Sequence, residues 1–131
     1  MEERPTPIKE LKPGSYVMCE GEPCKVVSIT ISKPGKHGST KARIEVMGIF
    51  DNRRRYILKP AGEDLLSPVI EKRNGQIISM TGDTVQVMDM QEYNTFETAI
   101  PEEFKGKIEA GSNILYWKLG SKIIIKEVRS D

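Results

Sequence analysis

The chain has 131 residues, of which 37% are hydrophobic and 30% are charged, and its formal net charge is +1. This length accommodates one ordinary domain or two small ones, and the composition argues against a disordered chain. The longest aliphatic run near the C-terminus, Ile123–Ile125, is far too short to span a membrane, and residues 1–10 lack the features of a signal peptide. We therefore expect a cytoplasmic protein without a membrane partner.

The small net charge conceals an asymmetry between two halves. Residues 1–68 carry 12 Lys/Arg and 9 Asp/Glu, whereas residues 69–131 carry 8 and 10. The first half is therefore the one expected to face a polyanion.

The sequence pattern of residues 1–68 predicts short strands and no helix of more than a turn or two. Residues 1–10 are polar and contain two prolines, which predicts a loose lead-in. Short runs of apolar and β-branched residues predict strands at Tyr16–Cys19, Cys24–Ser32, Lys41–Phe50, Tyr56–Leu58 and Asp64–Leu66. Such a series indicates a small antiparallel barrel of the SH3-like kind.

Two of these strands should form a hairpin with one buried face. On the first strand, alternation predicts that Val27, Ile29 and Ile31 point inward. On the second strand it predicts the same for Ala42, Ile44 and Val46, while Arg43 and Glu45 point to the opposite face. The break between the strands is too long for a two-residue turn, so its tip should project beyond the sheet.

The two cysteines, Cys19 and Cys24, flank a predicted turn and could face one another. A reducing compartment keeps thiols reduced and so disfavours a disulfide, and a zinc site would need two further ligands although His37 is the only histidine. We expect plain thiols on neighbouring strands and no metal.

The break itself is Lys33–Thr40, and from Lys33 to Arg43 the chain has four Lys/Arg and no acid. Three interpretations compete: a solvated hairpin tip, a phosphate cradle, or a lysine presented to RNA or to a modifying enzyme. The cradle fails because a P-loop needs Ser or Thr directly after its lysine, whereas His37 follows Lys36, and because a strand follows instead of a helix. The small residues beside Lys36 favour presentation to a macromolecule.

A run of three arginines, Arg53, Arg54 and Arg55, follows the hairpin. It can be a solvated strand end or a contact to nucleic-acid phosphate. Three adjacent residues on a strand cannot share a face, so at most two of them could meet one phosphate ridge.

A composition shift at Ser67-Pro68 predicts a boundary between domains 1–68 and 69–131. The second domain predicts five strands: Val69–Arg73 continuing into Gln76–Met80 across a turn or bulge at Asn74-Gly75, then Thr84–Asp89, Asn94–Ile100, Ile114–Lys118 and Lys122–Val128. Pro101 followed by two acids predicts one short helix over Pro101–Ile108. Three strands, a helix and two strands is the order of an OB-fold barrel.

The second domain also holds four aromatic residues, Tyr93, Phe96, Tyr116 and Trp117. OB folds often stack bases on exposed aromatics, but small barrels are filled by side chains. We expect Phe96 and Trp117 in the core, and only one of the adjacent Tyr116 and Trp117 to point inward.

The segment Ser32–Lys41 closely resembles the hypusine loop of the translation initiation factor 5A family. Pro34 and Ser39-Thr40 make it more like the archaeal branch than the eukaryotic one, where Thr and His-Ala are common. The resemblance covers nearly the whole chain, including the SH3-like and OB-fold domains, and extends to bacterial elongation factor P. It implies that Lys36 receives an aminobutyl group from spermidine through deoxyhypusine synthase, and that Lys33, Pro34, Gly35, His37 and Gly38 present it.

The resemblance further implies a translation factor that binds the ribosome near the P-site tRNA and promotes peptide-bond formation, above all at proline-rich sequences. Such a factor would perform no chemistry and would need no cofactor and no small-molecule substrate; an enzyme is also disfavoured because no carboxylate pair, metal cluster or nucleophile with a neighbouring base is evident. By the charge argument, Lys41 and Arg43 would contact RNA phosphate, and Arg53, Arg54 and Arg55 are further candidates, of which at most two could meet one phosphate ridge. The alternative is a general RNA-binding module without a ribosome-specific role.

Overall fold

The computed structural model describes residues 1–32 and 40–129, and nearly every element in it is a β-strand. The chain divides between Val69 and Ile70 into two compact units, each with its own hydrophobic core. In the part of the chain that is described, no helix is long and apolar enough to cross a membrane.

The first unit contains a four-stranded antiparallel sheet in the order β2-β3-β4-β5 and a two-stranded sheet in which β1 pairs with β6. These two sheets enclose one apolar core, as an SH3-like barrel does, which confirms the predicted fold class. The strands are β1 Glu3–Pro7, β2 Tyr16–Cys19, β3 Glu22–Ser32, β4 Lys41–Gly48, β5 Arg54–Pro60 and β6 Asp64–Pro68.

The expected loose lead-in was wrong. Glu3–Pro7 is strand β1, and a 3-10 turn at Ile8–Glu10 follows it. Ile8 is 2% exposed in the core, and its backbone N–H donates to the Glu63 carbonyl at 3.1 Å. A single apolar residue among charged and proline residues gives no periodic signal, so only the fold reveals that this segment covers the barrel.

The predicted alternation holds on β4, and on β3 it is wrong at Val27, whereas Ile29 and Ile31 lie opposite Ile44 and Ala42 of β4. Ala42, Ile44 and Val46 are fully buried, as expected. On β3 the register shifts by one residue between Val26 and Ser28, so Val27 is an unpaired bulge residue and is 43% exposed. The bulge changes which residues face inward: Cys24 and Val26 lie in the core before it and Ile29 packs against the core after it, while Ile31 is 49% exposed.

The two cysteines are free thiols, as expected. Cys24 is buried in the core, and Cys19 packs against the core from β2. Burial, followed by the neighbouring Cys19, raises the pKa of the Cys24 thiol to about 11, so Cys24 acts as a small apolar side chain.

The second unit is a five-stranded antiparallel sheet in the order β11-β10-β7-β8-β9. The Thr98 hydroxyl of β9 donates to the Ile123 carbonyl of β11 at 3.5 Å, so the two outer strands meet, as in the predicted OB-type barrel. The strands are β7 Glu71–Thr81, β8 Thr84–Asp89, β9 Thr95–Ala99, β10 Asn113–Leu119 and β11 Lys122–Arg129.

The short helix predicted at Pro101–Ile108 is only a 3-10 turn, Glu102–Phe104. Lys105 is already extended, and Gly106 has a φ of +80°, so the helix ends after one turn. One turn fixes several dihedral angles for few hydrogen bonds, and buried Ile108 instead anchors the segment to the core.

The turn or bulge predicted at Asn74-Gly75 was also wrong, because β7 runs through both residues and its bulge lies at Ile78. A Cβ on Gly75 would lie 2.7 Å from the Val87 Cγ1 atom and 3.3 Å from the Tyr116 ring. Glycine is therefore needed here because neighbouring side chains approach the backbone closely.

The aromatic predictions held in part. Tyr116 is buried in the core, and Phe96 packs against it with ring centroids 4.9 Å apart. Trp117 is 9% exposed but lies outside the core cluster, with the Lys72 and Lys126 ammonium groups 5.3 and 4.7 Å from its ring. Tyr93, at 67% exposed, is the most accessible of the four.

A buried carboxylate fixes the end of strand β8. Asp89 is 1% exposed and accepts hydrogen bonds from Arg73 Nε at 2.7 Å and Nη2 at 3.1 Å, from the Tyr116 hydroxyl, and from two backbone N–H groups at 2.8 Å each. The Arg73 guanidinium, helped by the Tyr116 hydroxyl and these backbone donors, holds the pKa of Asp89 well below its ordinary value.

Replacing Asp89 by Asn should lower the free energy of unfolding of the second unit by about 1–3 kcal/mol, because the Arg73 guanidinium and two backbone N–H groups lose a charged acceptor while Arg73 keeps Glu71 and Glu92 as partners. In the wild type, the stabilisation that ionised Asp89 gives the folded state is complete above the unfolded-state pKa of about 4. This stabilisation is lost as pH falls toward the lower folded-state pKa of Asp89. Urea unfolding followed through Trp117 fluorescence should show this acid-side loss in the wild type and a smaller one in Asp89→Asn. Glu97→Gln, at an exposed carboxylate on β9, is the control, and equal stability of both variants would contradict the assignment.

Candidate nucleic-acid interface

The segment that carries the predicted modification begins and ends at neighbouring strand positions. Ser32 at the end of β3 pairs with Lys41 at the start of β4, and the Ser32 hydroxyl donates to the Lys41 carbonyl at 3.3 Å. The Thr40 carbonyl accepts the Ala61 N–H at 2.9 Å. Six predicted site residues lie outside the described residues: Lys33, Pro34, Gly35, Lys36, His37 and Gly38.

The rows of the sheet next to this segment are cationic. A row here is a set of residues that lie opposite one another on β3, β4 and β5. The three rows nearest the segment contain three cationic residues and no acid; they are Ser32–Lys41–Pro60, Ile31–Ala42–Lys59 and Thr30–Arg43–Leu58. All three cationic side chains are exposed. Because these positions are fixed by strand register, the positive charge has a defined spacing, which suits a polyanion.

One surface of β3–β5 collects polar, cationic and aromatic side chains. We call it the outer face; it consists of Ser28, Thr30, Ser32, Lys41, Arg43, Glu45, Arg54, Tyr56 and Leu58. The Arg43 guanidinium lies over the Tyr56 ring, 4.9 Å from its centroid. Tyr56 and Leu58 are 54% and 71% exposed. The outer face thus joins two cationic residues, Lys41 and Arg43, that have no ion pair within residues 1–32 and 40–129, to exposed apolar surface.

The three predicted arginines are in three different environments. Arg53 is exposed and lies outside the strands. Arg54 lies on the outer face and forms an ion pair with Glu45. Arg55 points to the other side of β5, where its side chain is 13% exposed, and contacts Asp51 at 2.7 Å and Glu20 at 3.1 Å.

Arg55 is part of a structural cluster at the end of the β3–β5 sheet. Its hydrogen bonds to Asp51, and a further one from the Arg53 backbone, lower the pKa of Asp51 to about 2, and Asp51 in turn raises the pKa of Arg55. A Cβ on Gly48 would overlap the Asp51 carboxylate, so the cluster packs directly on the backbone of β4. Arg55 thus has two acidic partners in its own unit, unlike Arg43.

Sequence reasoning had missed Tyr56, Thr30 and Ser28 as members of the site. The signal was available in principle, because Tyr56 lies two residues after Arg54 and residues of that spacing share one face of a strand. What the sequence lacked was the register of β5 against β4, which places Tyr56 opposite Glu45 and Leu58 opposite Arg43. Within residues 1–32 and 40–129, no group of three or more potential ligands is placed to hold a metal ion.

Comparisons with known proteins agree on one family. Residues 2–62 match the family model described as translation initiation factor 5A-like, N-terminal. The chain is 48% identical over 128 residues to "Translation initiation factor 5A" of Thermococcus kodakarensis, with 95% of this chain and 94% of that protein covered. It is 50% identical over 111 residues to the protein of the same name from Methanoregula boonei, with 85% and 89% covered.

Solved structures give the same result for the fold. A structure titled "Eukaryotic translation initiation factor 5A from Methanococcus jannaschii" superposes with a TM-score of 0.90 at 38% identity, and covers 97% of this chain and 95% of its own. A structure titled "Translation initiation factor eif-5a family protein from Naegleria fowleri ATCC 30863" superposes with a TM-score of 0.78 at 25% identity, and covers 99% of this chain and 100% of its own. The likeness therefore extends over both units.

Replacing Arg55 by Ala should lower the thermal midpoint of the first unit, because Asp51 and Glu20 lose their shared cation beside the Gly48 backbone. Replacing Arg53 by Ala should leave that midpoint unchanged, because Arg53 is exposed. Circular dichroism and hydrogen exchange of the β3–β4 amides measure the difference. Equal behaviour of the two variants would show that the cluster contributes no stability.

Proposed function

The chain belongs to the translation initiation factor 5A family and is a translation factor; from this premise we propose that it binds the ribosome beside the P-site tRNA through a modified Lys36. In this proposal, deoxyhypusine synthase adds an aminobutyl group derived from spermidine to Lys36. The observation that carries it is the motif Gly35-Lys36-His37-Gly38 between two strands whose rows nearest the motif bear only positive charge.

The modification has a simple physical purpose. An ordinary lysine is protonated at neutral pH and offers one ammonium group on a short stem. The aminobutyl unit lengthens that stem and adds a second amine, so the side chain can donate to phosphate and 2′-hydroxyl oxygens that unmodified lysine would not reach. Small glycine neighbours leave room for the modifying enzyme and for RNA to approach the side chain.

The sheet supports this role through charge of fixed spacing. Lys41 and Arg43 stand on β4 directly after the motif, and both are exposed. Phosphate contacts of this kind position a protein on RNA without reading its sequence. In our proposal they hold the first unit against tRNA or ribosomal RNA while Lys36 extends toward the acceptor end of the tRNA.

The factor then promotes peptide-bond formation without chemistry of its own. A peptidyl-tRNA whose acceptor end is poorly placed loses rate because few of its conformations allow attack. A protein that restricts those conformations recovers rate by orientation alone. Proline-rich sequences, whose geometry is unfavourable, should gain most.

Replacing Lys36 by Arg should abolish the modification, because a guanidinium cannot replace the ε-amine as acceptor of the aminobutyl group. Mass spectrometry of the segment peptide, purified from native cells, measures the added mass. Lys25→Arg, at an exposed lysine of β3 outside the segment, is the control and should retain the modification on Lys36. An unmodified Lys36 in every wild-type molecule would refute the proposal.

Translation in a reconstituted system separates a ribosomal factor from a general RNA-binding module. The modified chain should increase the yield from a template with consecutive prolines and leave a proline-free template nearly unchanged, whereas Lys36→Arg should lose most of the gain. The module alternative instead expects small and equal effects of both proteins on both templates, and such equality would favour it.

A further inference from the structure

We propose that the outer face is a nucleotide-binding surface for single-stranded RNA, in which the Arg43–Tyr56 pair stacks a base and the Thr30 hydroxyl contacts its ribose. This inference rests on the proposed function, in that it adds an RNA contact next to the Lys36 segment. It assigns roles to Tyr56 and Thr30, which charge arguments alone do not identify.

The first observation is the free charge of Arg43. The other charged pair of the outer face neutralises itself, because Arg54 forms an ion pair with Glu45 and the Ser28 hydroxyl donates to the same carboxylate at 3.4 Å. Among the described residues, none forms an ion pair with Arg43. Its guanidinium is held over the Tyr56 ring instead, so its charge and its exposed side remain available for a phosphate or a base.

The second observation is a concavity of about 170 Å³ beside this pair. Its lining consists of Ser28, Thr30, Arg43, Glu45 and Tyr56. Glu45, the acidic residue of this lining, is already neutralised by its ion pair with Arg54. The hydroxyl groups, the guanidinium and the phenol match the chemistry of a ribonucleotide: donors for phosphate, a hydroxyl partner for the 2′-OH and an aromatic surface for a base.

The third observation fixes the side from which RNA approaches Tyr56. A larger groove of about 450 Å³ also borders Tyr56, but its lining includes three acidic residues, Glu3, Glu20 and Asp64, and only one cationic residue, Lys59. These acids repel phosphate. The RNA strand should therefore run on the β3 side of Tyr56, toward Lys41 and the Lys36 segment, and should avoid the acidic groove.

The stacking role can be separated from the charge by paired substitutions in the full-length chain. Binding of a short fluorescent single-stranded RNA is followed by anisotropy at several salt concentrations. Tyr56→Phe keeps the ring and should bind as the wild type does, whereas Tyr56→Leu should bind about tenfold more weakly, the loss of one stacked base. Because Tyr56 is largely exposed, both variants should fold, which circular dichroism verifies.

Arg43 supplies the second pair. Arg43→Lys keeps the positive charge, so it should bind RNA more weakly but show the same dependence of affinity on salt as the wild type. Arg43→Ala removes the charge, so it should bind more weakly and should also reduce the slope of log affinity against log salt by about 1. Thr30→Val should weaken RNA binding without changing binding of the matching DNA oligonucleotide, because only RNA offers the 2′-hydroxyl. Tyr93→Leu, at the exposed aromatic of the second unit, is the control and should change nothing.

Two kinds of result would overturn the inference that the outer face binds RNA. Absence of RNA binding by the wild type, or equal affinity of Tyr56→Leu and Tyr56→Phe, overturns the inference. If the variants bind RNA normally but leave Lys36 unmodified in native cells, the outer face is a docking surface for the modifying enzyme, which also overturns it. The proposed function fails on a different measurement, the mass of the wild-type segment, so the two failures are distinguishable.

Discussion

The pairing of β3 with β4 is the constraint on which the candidate site depends. Ala42, Ile44 and Val46 are fully buried, so β4 cannot slip by one residue without moving its entire apolar set into water. That register places Ser32 opposite Lys41 and Thr30 opposite Arg43. The hydrophobic core therefore determines where every charge of the outer face stands, although none of those charges contributes to the core.

The bulge at Val27 extends this control along β3. Without it, the alternation that puts Val26 in the core would continue, and Thr30 would share the inward direction of Val26. With one extra residue inserted, Ser28 and Thr30 face outward beside β4's Glu45 and Arg43. The exposed Val27 side chain is the local cost of that reorientation. A feature that looks like an irregularity thus aligns the hydroxyl row with the cationic row.

The two units use charge in opposite ways. In the second unit the main charged cluster is internal: Asp89 is buried and fully engaged by Arg73, Tyr116 and backbone donors, so it fixes a loop and offers nothing to a partner. In the first unit Arg55 has a similar structural use beside Asp51, but Lys41 and Arg43 remain exposed. This division agrees with the excess of positive charge in residues 1–68.

The sequence by itself determined the all-β class, most strand positions, the free thiols and the family, because these depend on local alternation, turn residues and a short motif. It also predicted Lys36 as the modified residue, a prediction that depends on the motif and needs no coordinates. Tertiary structure alone decided that Ile8 belongs to the core, that the Pro101 segment makes only one 3-10 turn, and that β3 carries a bulge. It also separated Arg55, held by acids, from Arg43, held over Tyr56. The reason is physical: a side chain's partners across a sheet are set by register between strands far apart in sequence, and register is a property of the packed core that no local pattern contains.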